Sequence, residues 1–149
     1  MGVLTRPWLF ELGSSFYAWF TANSPWRQSC AFLASFFPSP NGRRPMRVLD
    51  LGCGPGVTAI TLAGVRPDAS YVGVDLAPRM VDIAKADTGR AGLTQSISYV
   101  VADAHDLPFS EGAFDMTTAH SFLYLVPNRA GVLREVAKGA TQAIVRNRS

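Results

Sequence analysis

Residues 48–56 read VLDLGCGPG, an apolar run holding one acid and then glycines at every second position, Gly52, Gly54 and Gly56. A short apolar run of this kind is a buried strand. Glycine loses more conformational freedom on folding than any other residue, so three in five positions need a reason: a turn requiring positive φ, or a ligand brought against the backbone. The next residues, VTAITLAGV, form an apolar helix, and the loop therefore joins a strand to a helix. In that setting a glycine loop binds ligands, because the backbone is bare and the helix start offers free N–H donors at the positive end of its dipole.

The strand–helix pattern repeats. Arg66-Pro67-Asp68 is a turn, SYVGVD a second strand, and APRMVDIAKAD a helix with Val81, Ile83 and Ala84 among its apolar positions. SISYVVAD is a third strand, AFDMTTAHSF a fourth, NRAGVLREVAKG another helix, and residues 141–146 a short fifth strand. Strands alternating with helices predict an α/β protein with a doubly wound, mostly parallel sheet. Upstream, residues 35–45 (SFFPSPNGRRP) read as a connector. Residues 7–37 are rich in aromatics and predict two amphipathic helices broken near Asn23 to Pro25, with Phe16, Trp19, Phe20 and Asn23 at helical spacing. Such a stripe is first of all core contact. The expected organisation is one domain over 1–149, with a helical cap and connector in 1–45, a core in 46–138 and a short tail in 139–149.

Composition narrows the function. With 149 residues, 48% hydrophobic and 17% charged, the chain suits one core-forming domain. The net charge of +3 is spread over small clusters such as Arg43, Arg44 and Arg47, not over one basic face, so no nucleic-acid partner is expected. Cys30 and Cys53 give neither a disulfide framework nor a metal-ligand spacing; both read as reduced thiols of a cytoplasmic protein, and no metal is expected. No signal-peptide pattern and no run long enough to span a bilayer is present, so stable membrane insertion is not expected either.

The glycine spacing discriminates among nucleotide ligands. A dinucleotide loop places its third glycine at relative position 6, where this chain has Val57. A P-loop needs Gly-Lys-Ser/Thr, which is absent. A nucleoside fits the strand and spacing better than a pyrophosphate, and an NAD-dependent oxidoreductase is disfavoured.

VLDLGCGPG followed by YVGVDLAPRMVDIAK resembles motif I and the acidic second motif of class I S-adenosylmethionine-dependent methyltransferases, which have a Rossmann-like fold. The stretch VADAHDLPFSEGAFDMTTAHSFLYLVPNRAGVLREVAK extends the likeness, and its LPF and FD phrases are similar to the ubiquinone and menaquinone biosynthesis subfamily. The resemblance covers residues 46–138 and implies methyl transfer from S-adenosyl-L-methionine to a small-molecule acceptor. It implies that Asp50 helps hold the methionine ammonium, directly or through water. The loop from Gly52 through Cys53 and Gly54 to Gly56 would admit the methionine portion and ribose. Asp75 would accept the ribose hydroxyls, Leu76 and Met80 pack on the adenine, and Asp103 with the backbone of Ala104 meet the adenine amino edge. Taken singly, Asp50 is also a plain loop acceptor and Asp75 a strand-end turn residue; Asp106 is an alternative to Asp103, and Asp115 reads as a structural acceptor at the start of the fourth strand.

Methyl transfer is an in-line displacement needing mainly alignment and exclusion of water. Where the acceptor is a hydroxyl or acidic carbon, His120 beyond the fourth strand is the candidate base, the competing reading being a packed histidine. His105 is less well placed, and Tyr17 and Trp19 are candidates to cap the pocket. After REVAK the family continues into further strands, whereas this chain reads KGATQAIVRNRS. The expectation is an incomplete C-terminal sheet edge, open to pairing with a second copy as a homodimer. A truncated or degenerate cofactor-binding module without turnover is the alternative.

Overall fold

In the computed structural model the described residues are 24–40, 42, 44–120 and 122–146. The first of the two expected N-terminal helices lies outside them, as do Tyr17 and Trp19. The second is α1 (Ser24–Phe32), followed by a 3-10 turn (Leu33–Phe36). The α/β part then runs β1 (Met46–Leu51), α2 (Val57–Val65), β2 (Ala69–Asp75), α3 (Pro78–Arg90), β3 (Ile97–Val101), β4 (Phe114–His120), a 3-10 turn (Leu123–Leu125), α4 (Arg129–Gly139) and β5 (Ala140–Arg146).

The five strands lie in the order β3-β2-β1-β4-β5, and every neighbouring pair is parallel. The chain winds outward from β1 to β3, then crosses back to β4 and outward to β5. Order therefore reverses between β1 and β4, and in such sheets ligands bind at the carboxyl ends of the strands at this switch point. The doubly wound expectation holds.

Burial on both faces explains why β1 reads as a continuous apolar run. Val48 joins a core with Leu62 of α2, Val81 and Ala84 of α3, Tyr71, Tyr99 and Met116. Leu49 and Leu51 point the other way, into a core with Val74, Leu107, Phe114 and the α4 residues Val132 and Val136. Helix α1 closes the first face, where Trp26 and Cys30 pack on Val57 and the Cys30 thiol lies 3.5 Å from the Thr58 hydroxyl.

Boundaries differ from the sequence expectation where local chemistry intervenes. Helix α3 continues to Arg90 and ends at the left-handed Gly92 (φ +70°). Strand β3 stops at Val101, because Asp103 turns the chain by accepting the backbone N–H of His105 at 2.8 Å. Asp115 at the start of β4 accepts both guanidinium N–H groups of Arg44 at 2.7 Å and the backbone N–H of Arg47 at 2.8 Å. Arg44 of the connector is thereby tied to the sheet it precedes.

Candidate cofactor-binding site

At the carboxyl end of β1 the chain enters three left-handed glycines, Gly52 (φ +63°), Gly54 (+52°) and Gly56 (+83°). The loop is pinned to β2: Cys53 N–H donates to the Val74 carbonyl at 3.0 Å, and Gly54 N–H to Asp75 Oδ2 at 2.9 Å. The glycines differ in what surrounds them. A Cβ on Gly56 would lie 2.5 Å from Tyr99 Oη and 3.0 Å from the Ala84 methyl, so this glycine lets α2 approach β3 and α3. A Cβ on Gly52 would lie 2.1 Å from Phe122 Cδ2. Helix α2 starts at Val57 with no side-chain cap, and Gly56 N–H is bonded to the Cys53 carbonyl within the loop.

Asp50 lies at the end of β1 with only 1% of its surface exposed. The Thr118 hydroxyl of β4 donates to its Oδ1 at 2.9 Å, while Oδ2 is buried without a hydrogen-bond partner. Burial pushes this carboxyl up to about 7, the Thr118 bond opposes the rise, and the charge of Asp75 adds to it. Asp75 ends β2 and accepts from Gly54 N–H on one oxygen and from Ala77 N–H at 2.9 Å on the other. Each oxygen keeps a second lone pair. The carboxylate thus clamps the glycine loop to the head of α3 and still has acceptor capacity. Asp103 is half exposed; its Oδ1 accepts both the backbone N–H and the ring Nδ1–H of His105, each at 2.8 Å, and hydrogen bonding holds its carboxyl below the usual range.

These elements frame a cleft of about 290 Å³ between the ends of β2, β3 and β4, lined by Asp75, Leu76, Asp103, Ala104, His105 and Phe122 among others. Its size is near the lower end for small-molecule sites. Beside it is a smaller depression lined by Gly52, Cys53, Gly54, Thr58, Trp26 and His120. Gly52 belongs to both.

Of the residues expected at the site, Gly52, Asp75, Leu76, Asp103 and Ala104 meet in the cleft, and Cys53, Gly54 and His120 in the smaller depression. Leu76 presents an exposed apolar side chain (70%) at the rim. Met80, buried on α3, and Asp50, buried at the end of β1, line neither depression, and Gly56 is occupied by packing against Tyr99. His120 is buried at the end of β4; its Nε2 is 3.0 Å from the Ser29 hydroxyl and its ring meets Trp26 edge-on at 4.9 Å. Burial pushes the Cys53 thiol far up and keeps it protonated.

Sequence reasoning missed Phe122, Thr118 and Ser29. Paired threonines in the middle of a buried strand were a signal for Thr118, since a buried hydroxyl needs a partner. Phe122 reads as strand in the sequence, and only the turn after His120 brings its ring over Gly52.

A parallel sheet with a glycine loop and strand-end acids at its switch point defines a nucleotide-type binding domain. Within that class the chain belongs to the methyltransferase domain family, whose model matches residues 48–141. It is 32% identical over 113 residues to ajmaline N-methyltransferase of Rauvolfia serpentina, covering 73% of this chain and 38% of that protein. It is 38% identical over 99 residues to demethylmenaquinone methyltransferase of Thermus thermophilus, covering 66% of this chain and 41% of that protein. The chain thus spans about two fifths of the length of these relatives. The structure of a candidate S-adenosyl-L-methionine-dependent methyltransferase from Methanococcus maripaludis shares the fold, with a TM-score of 0.79 at 20% identity over 91% of this chain and 62% of that one.

Proposed function

We propose that this domain binds S-adenosyl-L-methionine and transfers its methyl group to a small-molecule acceptor. The observation that carries the reading is Asp50: a buried carboxylate with one unpartnered oxygen, beside a left-handed glycine loop. Without a cation beside it, burial raises this carboxyl to about 7; a cationic partner favours its charged form, and the ligand's α-ammonium is one. The other residues fit the rest of the molecule. Asp75 has acceptor capacity for a ribose diol, Leu76 and Ala104 offer apolar surface to a purine, and Asp103 an acceptor at its edge. The bound cofactor supplies a methyl carbon on a sulfonium, already activated toward nucleophiles. The protein's part is to orient the acceptor and exclude water.

His120 is the base we propose for an acceptor that must lose a proton, held by Ser29 beside the glycine loop. His120→Ala then lowers kcat by about 10²–10⁴-fold for a hydroxyl acceptor and leaves cofactor affinity within a few-fold; equal kcat in the two proteins removes His120 from the mechanism.

The exposed Leu76 at the rim favours an apolar small-molecule acceptor over a nucleic acid. No helix among the described residues is long and apolar enough to cross a membrane. Neither cysteine forms a disulfide, in keeping with a reducing, cytoplasmic setting. Strand β5 lies at one edge of the sheet, where a second copy could pair as a homodimer. The test of turnover is release of S-adenosylhomocysteine from S-adenosylmethionine in the presence of apolar acceptors. Acceptor-dependent release supports the enzyme; saturable cofactor binding with no release across a broad acceptor panel favours a binding module without turnover.

A further inference from the structure

The absent side chain of Gly52 clears a space against the loop, and in this structure the chain itself fills it. A Cβ on Gly52 would fall 2.1 Å from Cδ2, 2.5 Å from Cγ and 2.8 Å from Cβ of Phe122. The ring therefore occupies the volume that a ligand lying on the loop would take at that residue. Its position between the two depressions matters equally. Phe122 lines the larger cleft with Asp75 and Asp103, and Gly52 beneath it is the residue shared with the smaller depression. A ligand confined to the Asp75–Asp103 cleft meets the ring only as part of that cleft's wall and has no need to displace it. A ligand long enough to run from that cleft across Gly52 has to displace it.

We infer that Phe122 is a specificity-determining gate, which leaves the nucleoside half of the site open and admits the amino-acid half of a ligand only when its ring leaves Gly52. The inference rests on the cofactor reading above. Its physical basis is that a site competent in only a fraction of molecules binds with its affinity reduced by that fraction. Opening requires a side-chain rotation and no rearrangement of the sheet: Phe122 is only partly buried, packed against the α4-side core from the turn after β4. Its backbone is held separately, through Leu125 N–H donating to the Phe122 carbonyl at 2.9 Å.

Two ligands separate this from a structural role. Adenosine fills the nucleoside half alone, and S-adenosylhomocysteine spans both. We would titrate each into the wild-type chain, Phe122→Ala and Phe122→Trp by calorimetry, after checking by circular dichroism that the variants are folded. Phe122→Ala removes the same wall contact for both ligands and is expected to tighten S-adenosylhomocysteine about tenfold relative to adenosine. The larger ring of Phe122→Trp keeps an aromatic in place and is expected to weaken S-adenosylhomocysteine alone. Equal changes for both ligands, or S-adenosylhomocysteine weakened relative to adenosine in Phe122→Ala, would show that the ring supports the loop and overturn the gate. Binding of neither ligand to any of the three proteins would sink the cofactor reading itself, and the gate with it.

Discussion

Asp50 is a carboxyl group held out of water with one hydroxyl for company, and its chemistry is pH-dependent in a calculable direction. In the unfolded chain an aspartate titrates near 3.9, well below the folded value of about 7. Between the two, the folded state holds a proton that the unfolded state has lost, so unfolding free energy falls as pH rises. The stabilisation is fully present below pH ~4 and gone once pH has risen through about 7; the change is on the order of a few kcal/mol. Asp50→Asn keeps an acceptor for Thr118 and removes the titration. Urea unfolding at pH 5 and pH 8 should show a smaller pH dependence in the variant, and greater stability than wild type at pH 8. At the same time cofactor affinity should fall, because the charge proposed to meet the ammonium is gone. A variant as pH-dependent as the wild type would mean that Asp50 is not buried as described. At this scale the sequence was legible where a residue's type and its strand-end position sufficed, as for Asp75. It was silent on Phe122 and Ser29, whose roles depend on which elements the fold brings beside them.

The elements are joined by a few specific contacts. Gly56 is where α2, α3 and β3 converge, and the Tyr99 hydroxyl that would meet its Cβ is itself bonded to the Thr88 hydroxyl at 2.8 Å inside the core. Gly56→Ala combines a left-handed backbone with a clash against a fixed ring, and should destabilise by about 3 kcal/mol. Denaturation midpoints check this; a loss below ~1 kcal/mol would mean that Tyr99 gives way easily. Asp115 works by polar bridging instead. Asp115→Ala removes a two-pronged bond from Arg44 and one from the Arg47 N–H, and a loss of about 1 kcal/mol is expected because the pair is partly solvated. That loss should shrink as acid protonates the carboxylate, whose value Arg44 holds below the ordinary range. Element types were readable from periodicity and from the Arg66-Pro67-Asp68 turn. Ends were less so: the stop of β3 at Val101 and the extension of α3 to Arg90 depend on an Asp103 turn and a Gly92 cap that compete with propensity.

For the molecule as a whole, the decisive fact is that the strand order reverses beside β1. The reversal places the glycine loop, the end of β2 and the end of β4 around one opening, so residues far apart in sequence share a site. Alternating strands and helices made the fold class legible. The division of the site into two depressions meeting at Gly52 was not, because it depends on which side chains the fold brings beside that glycine. We propose that this opening binds S-adenosylmethionine with Asp75 as an anchor. The most direct test is calorimetric titration of the 149-residue chain with S-adenosylmethionine, alongside Asp75→Ala. We expect saturable one-to-one binding by the wild type and at least about a tenfold weaker interaction in the variant, in line with removal of a hydrogen-bonded carboxylate. A folded wild-type chain that binds no S-adenosylmethionine, or a variant that binds it as tightly, would contradict the account.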